Sequence, residues 1–354
     1  MNNIERIRSL LPEYERSAIL ITSPVNRLFA TGFCSSSGAL LVAMHGAWFF
    51  TDSRYIEAAE AAVSCADVLS VSSEKTYTMQ VKGLIDDMGV LSVGFEEDSV
   101  SYAQHLKWEE GLGASLLPAQ KLLNDLRAVK SPRELEGMIK AQRVAEKSFE
   151  EILPIISPDI TEKQLAAELV YRMLRNGADD KAFDPVVVSG KNSSMPHGVP
   201  GNDKICAGFL TIDFGAKLDG WCSDTTRTLC IGKPDDEMAK VYGTVLEAQK
   251  AGIGAMRAGA AGIDVDAAAR NVIEKAGYGE CFGHGFGHSL GLEVHESLKA
   301  SKISEDILPE GAVMSAEPGI YLPGRFGVRI EDVVWVTNNG CENITKLPKE
   351  LIVI

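Results

Sequence analysis

The chain has 354 residues, 45% of them apolar and 24% charged, with a formal net charge of −14. That length suits two domains with separate buried cores, the composition is that of an ordinary soluble globular protein, and the acidic balance excludes the basic stripe that a nucleic-acid surface needs. No apolar run reaches the ~18 residues of a membrane span. The first residues, Met1 to Ile7, lack the basic and then apolar regions of a secretion signal. Seven scattered cysteines with no C-x-x-C pair read as free thiols in a reducing cytoplasm.

Residues 1–124 alternate between helix-like and strand-like segments. An amphipathic start closes at Leu10, and residues 18–21 read as a strand. Residues 38–50 are apolar except at His45-Gly46 and read as a hairpin. Residues 53–63 read as a helix with Ser53 as candidate N-cap. Strands are expected at 67–71, 92–95 and 114–117, with helices at 77–88 and 100–110 between them. This is an α/β domain.

A boundary is expected at 124–130, giving domains of 1–125 and 126–354. Ser131-Pro132-Arg133-Glu134 starts a helix: Ser caps it, Pro takes the first helical position, and Glu closes a capping box. That helix runs to about 153 and breaks at Ser157-Pro158. Thr161 and Gln164 open a second capped helix. Strands follow at 185–189, 208–215 and 221–230. The order then recurs, with helices at 235–256 and 263–276 and strands at 312–321 and 327–337.

Each set of strands carries two carboxylates. Lys217-Leu218-Asp219-Gly220 is a turn signal. A hairpin centred at 218/219 sets Asp213 directly opposite Asp224, with Cβ atoms about 4.5–5.5 Å apart. Glu317 and Glu331 are symmetric about Gly324. Asp213 and Glu317 are 104 positions apart, and Asp224 and Glu331 are 107. Like charges so placed repel unless a cation lies between them.

Between the hairpins lies Gly283 to Glu296, a Gly-rich run holding His284, His288 and His295, three of the six histidines. Four carboxylates and one imidazole suit two divalent ions. Oxygen-rich ligation with one His favours manganese, iron, cobalt or zinc. Two such ions about 3.5–4 Å apart generate hydroxide near neutral pH and polarise a carbonyl. From the residues the reading is a two-metal hydrolase.

The runs Ile212-Asp213-Phe214-Gly215, Ser223-Asp224-Thr225-Thr226-Arg227, Gly287-His288-Ser289-Leu290-Gly291 with Val294-His295-Glu296, Glu317-Pro318-Gly319-Ile320-Tyr321 and Val328-Arg329-Ile330-Glu331-Asp332 closely resemble the pita-bread metallopeptidases. The resemblance is to their Xaa-Pro aminopeptidase (aminopeptidase P) and Xaa-Pro dipeptidase (prolidase) branch. Leu28 to Phe33 and Phe50 to Tyr55 resemble that branch's N-terminal domain. The resemblance implies an α/β, ribonuclease H-like creatinase/prolidase N-terminal domain. It also implies an α+β pita-bread catalytic domain with a pseudo-twofold repeat.

By the same resemblance, Asp213 chelates one metal, His288 and Glu317 bind the other, and Asp224 and Glu331 bridge both. Manganese is the first choice of ion. His197 and His295 flank the substrate and steady the tetrahedral intermediate, and Glu317 also carries the proton to the leaving nitrogen. Tyr321 and Arg329 support the ligands, and His284 lies near the substrate. The implied reaction is attack by a metal-activated water on the carbonyl before proline. Some prolidases grip the substrate carboxylate with an Arg just after the His-Glu pair. Residues 296–316 hold no Arg, which tilts the reading to an aminopeptidase. The dipeptidase is the alternative, with Lys299 as a point charge. Creatinase shares the fold without metals. A catalytically inactive copy used as a peptide-binding module is a reading from another class. Metal content separates both from a peptidase. The branch also implies a homodimer paired through its N-terminal domains, acting on short proline-containing peptides.

Overall fold

The computed structural model describes residues 1–354, and they form two compact units, Met1–Arg127 and Ala128–Ile354. No helix is long and apolar enough to cross a membrane.

The first unit is built on six strands: β1 (Ala18–Ile21), β2 (Ala39–Ala43), β3 (Gly46–Thr51), β4 (Asp67–Ser70), β5 (Ser92–Phe95) and β6 (Ser115–Pro118). Their order is β4-β3-β2-β1-β5-β6. The β1–β2 and β2–β3 pairs are antiparallel and the others parallel. The predicted hairpin at 38–50 is β2–β3. All residues of β1 and β2 are buried, as expected of central strands covered on both faces. Two helices lie outside the predicted set. Pro24–Thr31 is capped by Ser23 and stopped by Gly32 at φ 73°, a Ser-Pro start and a Gly stop. Gln120–Ala128 runs through the region read as a boundary. Ser53 is not an N-cap. The helix is Ile56–Ala62, flanked by Tyr55 without a side-chain cap. The preceding turn is held by Asp52, which accepts from the backbone and guanidinium of Arg54.

The second unit begins with helices Pro132–Ile152 and Glu162–Arg175. Both carry the predicted capping boxes, Ser131 with Glu134 and Thr161 with Gln164. There follow β7 (Asp180–Lys181), β8 (Val186–Ser189), β9 (Gly208–Phe214), β10 (Ala216–Leu218), β11 (Trp221–Cys222) and β12 (Thr225–Ile231). The antiparallel sheet β12-β9-β8 packs on the helix pair through Phe149, Leu165, Leu169, Leu210, Ile212 and Phe214. Phe149 and Phe214 stack at 5.2 Å. Helices Asp236–Ala255 and Gly262–Lys275 come next. The remaining strands are β13 (Gly287–His288), β14 (Lys299–Ala300), β15 (Val313–Ala316), β16 (Gly319–Leu322), β17 (Phe326–Arg329), β18 (Asp332–Thr337) and β19 (Gly340–Asn343). Val245, Ala248, Val265 and Ile273 of these helices share a core with Met314, Ile320, Val328 and Val334. The predicted recurrence is therefore physical, each helix pair covering its own strands.

Three predicted strands are interrupted. Residues 221–230 break at Ser223-Asp224, 312–321 at Glu317-Pro318, and 327–337 at Ile330-Glu331. Each break carries one of the acidic residues singled out above.

Candidate metal centre and its cavity

The geometry of the carboxylates follows from strand register. In the first hairpin Leu218 faces Trp221 and Asp213 faces Thr226. Asp213 therefore does not face Asp224, contrary to the predicted pairing. The loop is the two-residue Asp219-Gly220, with φ 50° and 85°, as a type I′ turn requires. This moves the hairpin axis one residue beyond the expected centre. A register offset of two keeps a side chain on the same face, so Asp224 remains on Asp213's side. In the second hairpin Gly319 faces Arg329 and Ala316 faces Asp332. Glu317 and Glu331 thus occupy corresponding places in the gap between two ladders, symmetric about Gly324 as expected.

The strand ends bring these groups to one cavity of about 610 Å³, lined by Asp213, Asp224, His288, Glu317 and Glu331. One ligand atom each of Asp224, His288 and Glu331 lies within 4.8 Å of the others. His288 Nε2 is 3.2 Å from Glu317 Oε1 and 3.7 Å from Asp224 Oδ2. His288 Nδ1 meets the Ser289 carbonyl at 3.2 Å. That contact uses the Nδ1 proton. Burial opposes a charge on His288, but the hydrogen bond and charge of Glu317 outweigh it and raise its pKa, so Nε2 holds a proton toward Glu317 that a bound cation would displace to take the lone pair. Ser315 Oγ accepts from the His288 amide and donates to Glu317. Gly287 fits this crossing because any Cβ would collide with the Ser315 carbonyl.

The electrostatics are those of a site built for cations. Burial raises Asp224 well above the ordinary carboxylate range, and the charges of Glu331, Asp213 and Glu317 add to it. Glu331 is raised well above its range by burial and by Glu317 and Asp213. Asp213 is raised by burial, against the nearby Arg329 charge. Burial opposes ionisation of Glu317 too, but the hydrogen bond and charge of His288 outweigh it and hold the carboxyl at about 2. Asp213 Oδ1 is buried with no hydrogen-bond partner. A buried acceptor without a donor is costly, and a divalent cation would satisfy it. The donor set fits such ions, being four carboxylates and an imidazole.

The other expected residues fall around this centre. His197, His284, His295 and Arg329 line the cavity. The rings of His288 and His295 meet edge-on at 4.3 Å. Tyr321 sits behind: its hydroxyl accepts from Arg329 Nη1 at 2.8 Å and lies 3.0 Å from His284 Nε2. His284 Nδ1 contacts the Gly285 carbonyl at 2.9 Å. Burial lowers the pKa of His284, consistent with a neutral ring accepting from Tyr321. Sequence reasoning missed Thr226, whose hydroxyl donates to Glu331 at 2.7 Å and accepts from Arg329 Nε at 3.0 Å. It also missed Lys130, whose buried ammonium pairs at 2.8 Å with Glu296, next to His295. Neither residue type signals a site alone, and the second pairing spans 166 positions.

Residues 136–338 match the family model of metallopeptidase family M24, and residues 3–129 match that of the creatinase/prolidase N-terminal domain. An Xaa-Pro dipeptidase of Pyrococcus horikoshii is 38% identical over 266 residues, covering 75% of this chain and 76% of that protein. The structure of an Xaa-Pro dipeptidase from Bacillus anthracis superposes with a TM-score of 0.96 at 38% identity, over 99% of both chains. That of an X-Pro aminopeptidase from Thermotoga maritima gives 0.91 at 35%, over 96% of this chain and 97% of that one. The catalytic unit has the pita-bread fold, and a family of metallopeptidases implies use of divalent metal. The chain belongs to metallopeptidase family M24, within its prolidase and aminopeptidase P branch.

Proposed function

We propose that this protein hydrolyses the Xaa-Pro bond of short peptides and acts foremost as a dipeptidase. The observation that carries the preference is Lys299. It lines the cavity, and its backbone pairs with that of His288 in the β13–β14 ladder. Its ammonium supplies a point charge for the free carboxylate of an Xaa-Pro dipeptide. The aminopeptidase is the second reading, favoured by the lack of any Arg in residues 296–316.

In this reading Asp213, Asp224, His288, Glu317 and Glu331 would hold two divalent ions. Manganese is the preferred ion, with cobalt, zinc or iron as alternatives. Two such ions, when bound, supply Lewis acidity and a nucleophilic hydroxide at neutral pH. The residues do the rest. Arg329 fixes one oxygen of Asp213, and Thr226 fixes one of Glu331. His197 and His295 donate to the oxygen that gains charge as the carbonyl becomes tetrahedral. Glu317 carries a proton to the departing proline nitrogen. That nitrogen bears no hydrogen in the substrate, so the pocket recognises the bond without an N–H contact. The seven unpaired cysteines suit a reducing compartment, and we place the protein in the cytoplasm as a homodimer.

The test compares Xaa-Pro dipeptides with Xaa-Pro-Yaa tripeptides in added manganese or cobalt. The dipeptide is expected to give the higher kcat/KM, and Lys299→Ala to raise KM for the dipeptide alone. Faster tripeptide cleavage, unaffected by Lys299→Ala, replaces this reading with the aminopeptidase.

A further inference from the structure

We infer that Glu162 is the positioning residue of the His197 loop, an inference that rests on the role proposed for His197. Glu162 is fully buried, at the start of helix Glu162–Arg175 and some distance in sequence from every residue of the cavity. Its carboxylate is used entirely on one segment. Oε1 accepts from the Ser189 amide at 2.7 Å, from Asn192 Nδ2 at 3.1 Å and from Ser189 Oγ at 3.3 Å. Oε2 accepts from the Gly201 amide at 3.1 Å. Residues 189 and 201 bracket the stretch that carries Pro196 and His197. One side chain therefore ties both ends of the loop.

Three features set this apart from ordinary helix capping. The helix already has its cap, since Thr161 and Gln164 form a complete box. All four partners are donors, which a carboxylate satisfies and an amide does not, because a carboxylate is acceptor-only. No Lys, Arg or His pairs with Glu162. The charge is stabilised instead by converging N–H groups and by its place in the first helical turn, where the macrodipole favours an anion.

The clamp has a counterpart on the far side of the loop. Gly327 N donates to Ser193 Oγ at 2.9 Å, and Arg329 Nη1 donates to the Pro196 carbonyl at 3.2 Å. The second contact joins the loop to the guanidinium that holds Asp213. His197 itself is exposed and has no side-chain hydrogen bond to fix it. Its placement over the cavity is set by backbone, and that backbone is held by Glu162 behind and Arg329 in front.

The experiment is a double-mutant cycle in the manganese-loaded, full-length enzyme, using Glu162→Gln and His197→Ala. The Gln amide sets a donor against donors and loosens the loop. The expected result is a fall in kcat of roughly 10- to 100-fold for Glu162→Gln, with KM and bound manganese unchanged. In the His197→Ala background the same substitution costs nothing further, because the group it positions is gone. Asn192→Ala, which removes one donor without leaving a buried charge bare, shows a smaller effect of the same kind, and it serves where Glu162→Gln does not fold. Full additivity of the two substitutions, with His197→Ala itself impaired, overturns the role of Glu162 and leaves that of His197 standing. An unimpaired His197→Ala overturns both.

Discussion

Arg329 Nη2 donates to Asp213 Oδ2 at 2.6 Å, while Asp213 Oδ1 stays buried without a donor. The guanidinium thus orients the carboxylate, occupying one oxygen and presenting the other to the cavity. The same Arg329 also donates to Thr226, Tyr321 and Pro196. It links two carboxylates, one histidine partner and the His197 loop. A planar fork of donors does this and a Lys ammonium does not. Arg329→Lys is expected to weaken metal affinity about 10- to 100-fold, as loss of a ligand's hydrogen-bond partner typically does. Titration of the chelator-treated protein with manganese measures it, and wild-type affinity removes Arg329 from this role.

Glu317→Gln is expected to lower kcat far more than it raises KM, since it removes a group used in the chemical step. Steady-state kinetics at saturating manganese, with bound metal measured alongside, checks this. Unchanged kcat in the metal-loaded variant assigns proton transfer elsewhere.

Chelation is expected to abolish activity and keep the fold, because both cores are large and apolar. The stability of the chelated protein should depend on pH in a defined sense. Asp224 and Glu331 have folded pKa values well above those of the unfolded chain. The folded state then binds more protons, so stability falls as pH rises above about 4 and through those raised values. Glu317, held at about 2, contributes in the opposite sense, but only below about pH 4.3. The rise in Tm on adding manganese should therefore grow between about pH 5 and pH 7.5. An equal rise at both values contradicts the charge-repulsion account.

The first unit holds none of the residues assigned to the chemistry, and in the homodimer proposed above it pairs the two subunits. Light scattering at micromolar concentration is expected to give a twofold-symmetric dimer. A persistent monomer of 38.1 kDa that cleaves Xaa-Pro substrates excludes a cross-subunit role for residues 1–125.

Much of this was readable from the letters because the governing forces are local. Ser131 with Glu134 and Thr161 with Gln164 bond across three positions, so residue type alone announces the helix start. The β2–β3 hairpin follows from an apolar stretch broken at His45-Gly46, and the axis at Gly324 from a turn residue. The five residues proposed to hold metal stood out as well, four as acidic residues on otherwise apolar strands and His288 in a Gly-rich run. Other features depended on distant parts of the chain. Asp213 faces Thr226 because the Asp219-Gly220 loop sets the axis, and that choice emerges only when the strands pair. The breaks at Asp224 and Glu331 are seams between ladders that pair with different neighbours, whereas the break at Glu317 had a local sign in Pro318, which cannot donate to a ladder. Arg329 finds Asp213 across 116 positions, and Lys130 finds Glu296 across 166. A buried charge takes whichever partner the packed core delivers, and residue order along the chain carries no local trace of that choice.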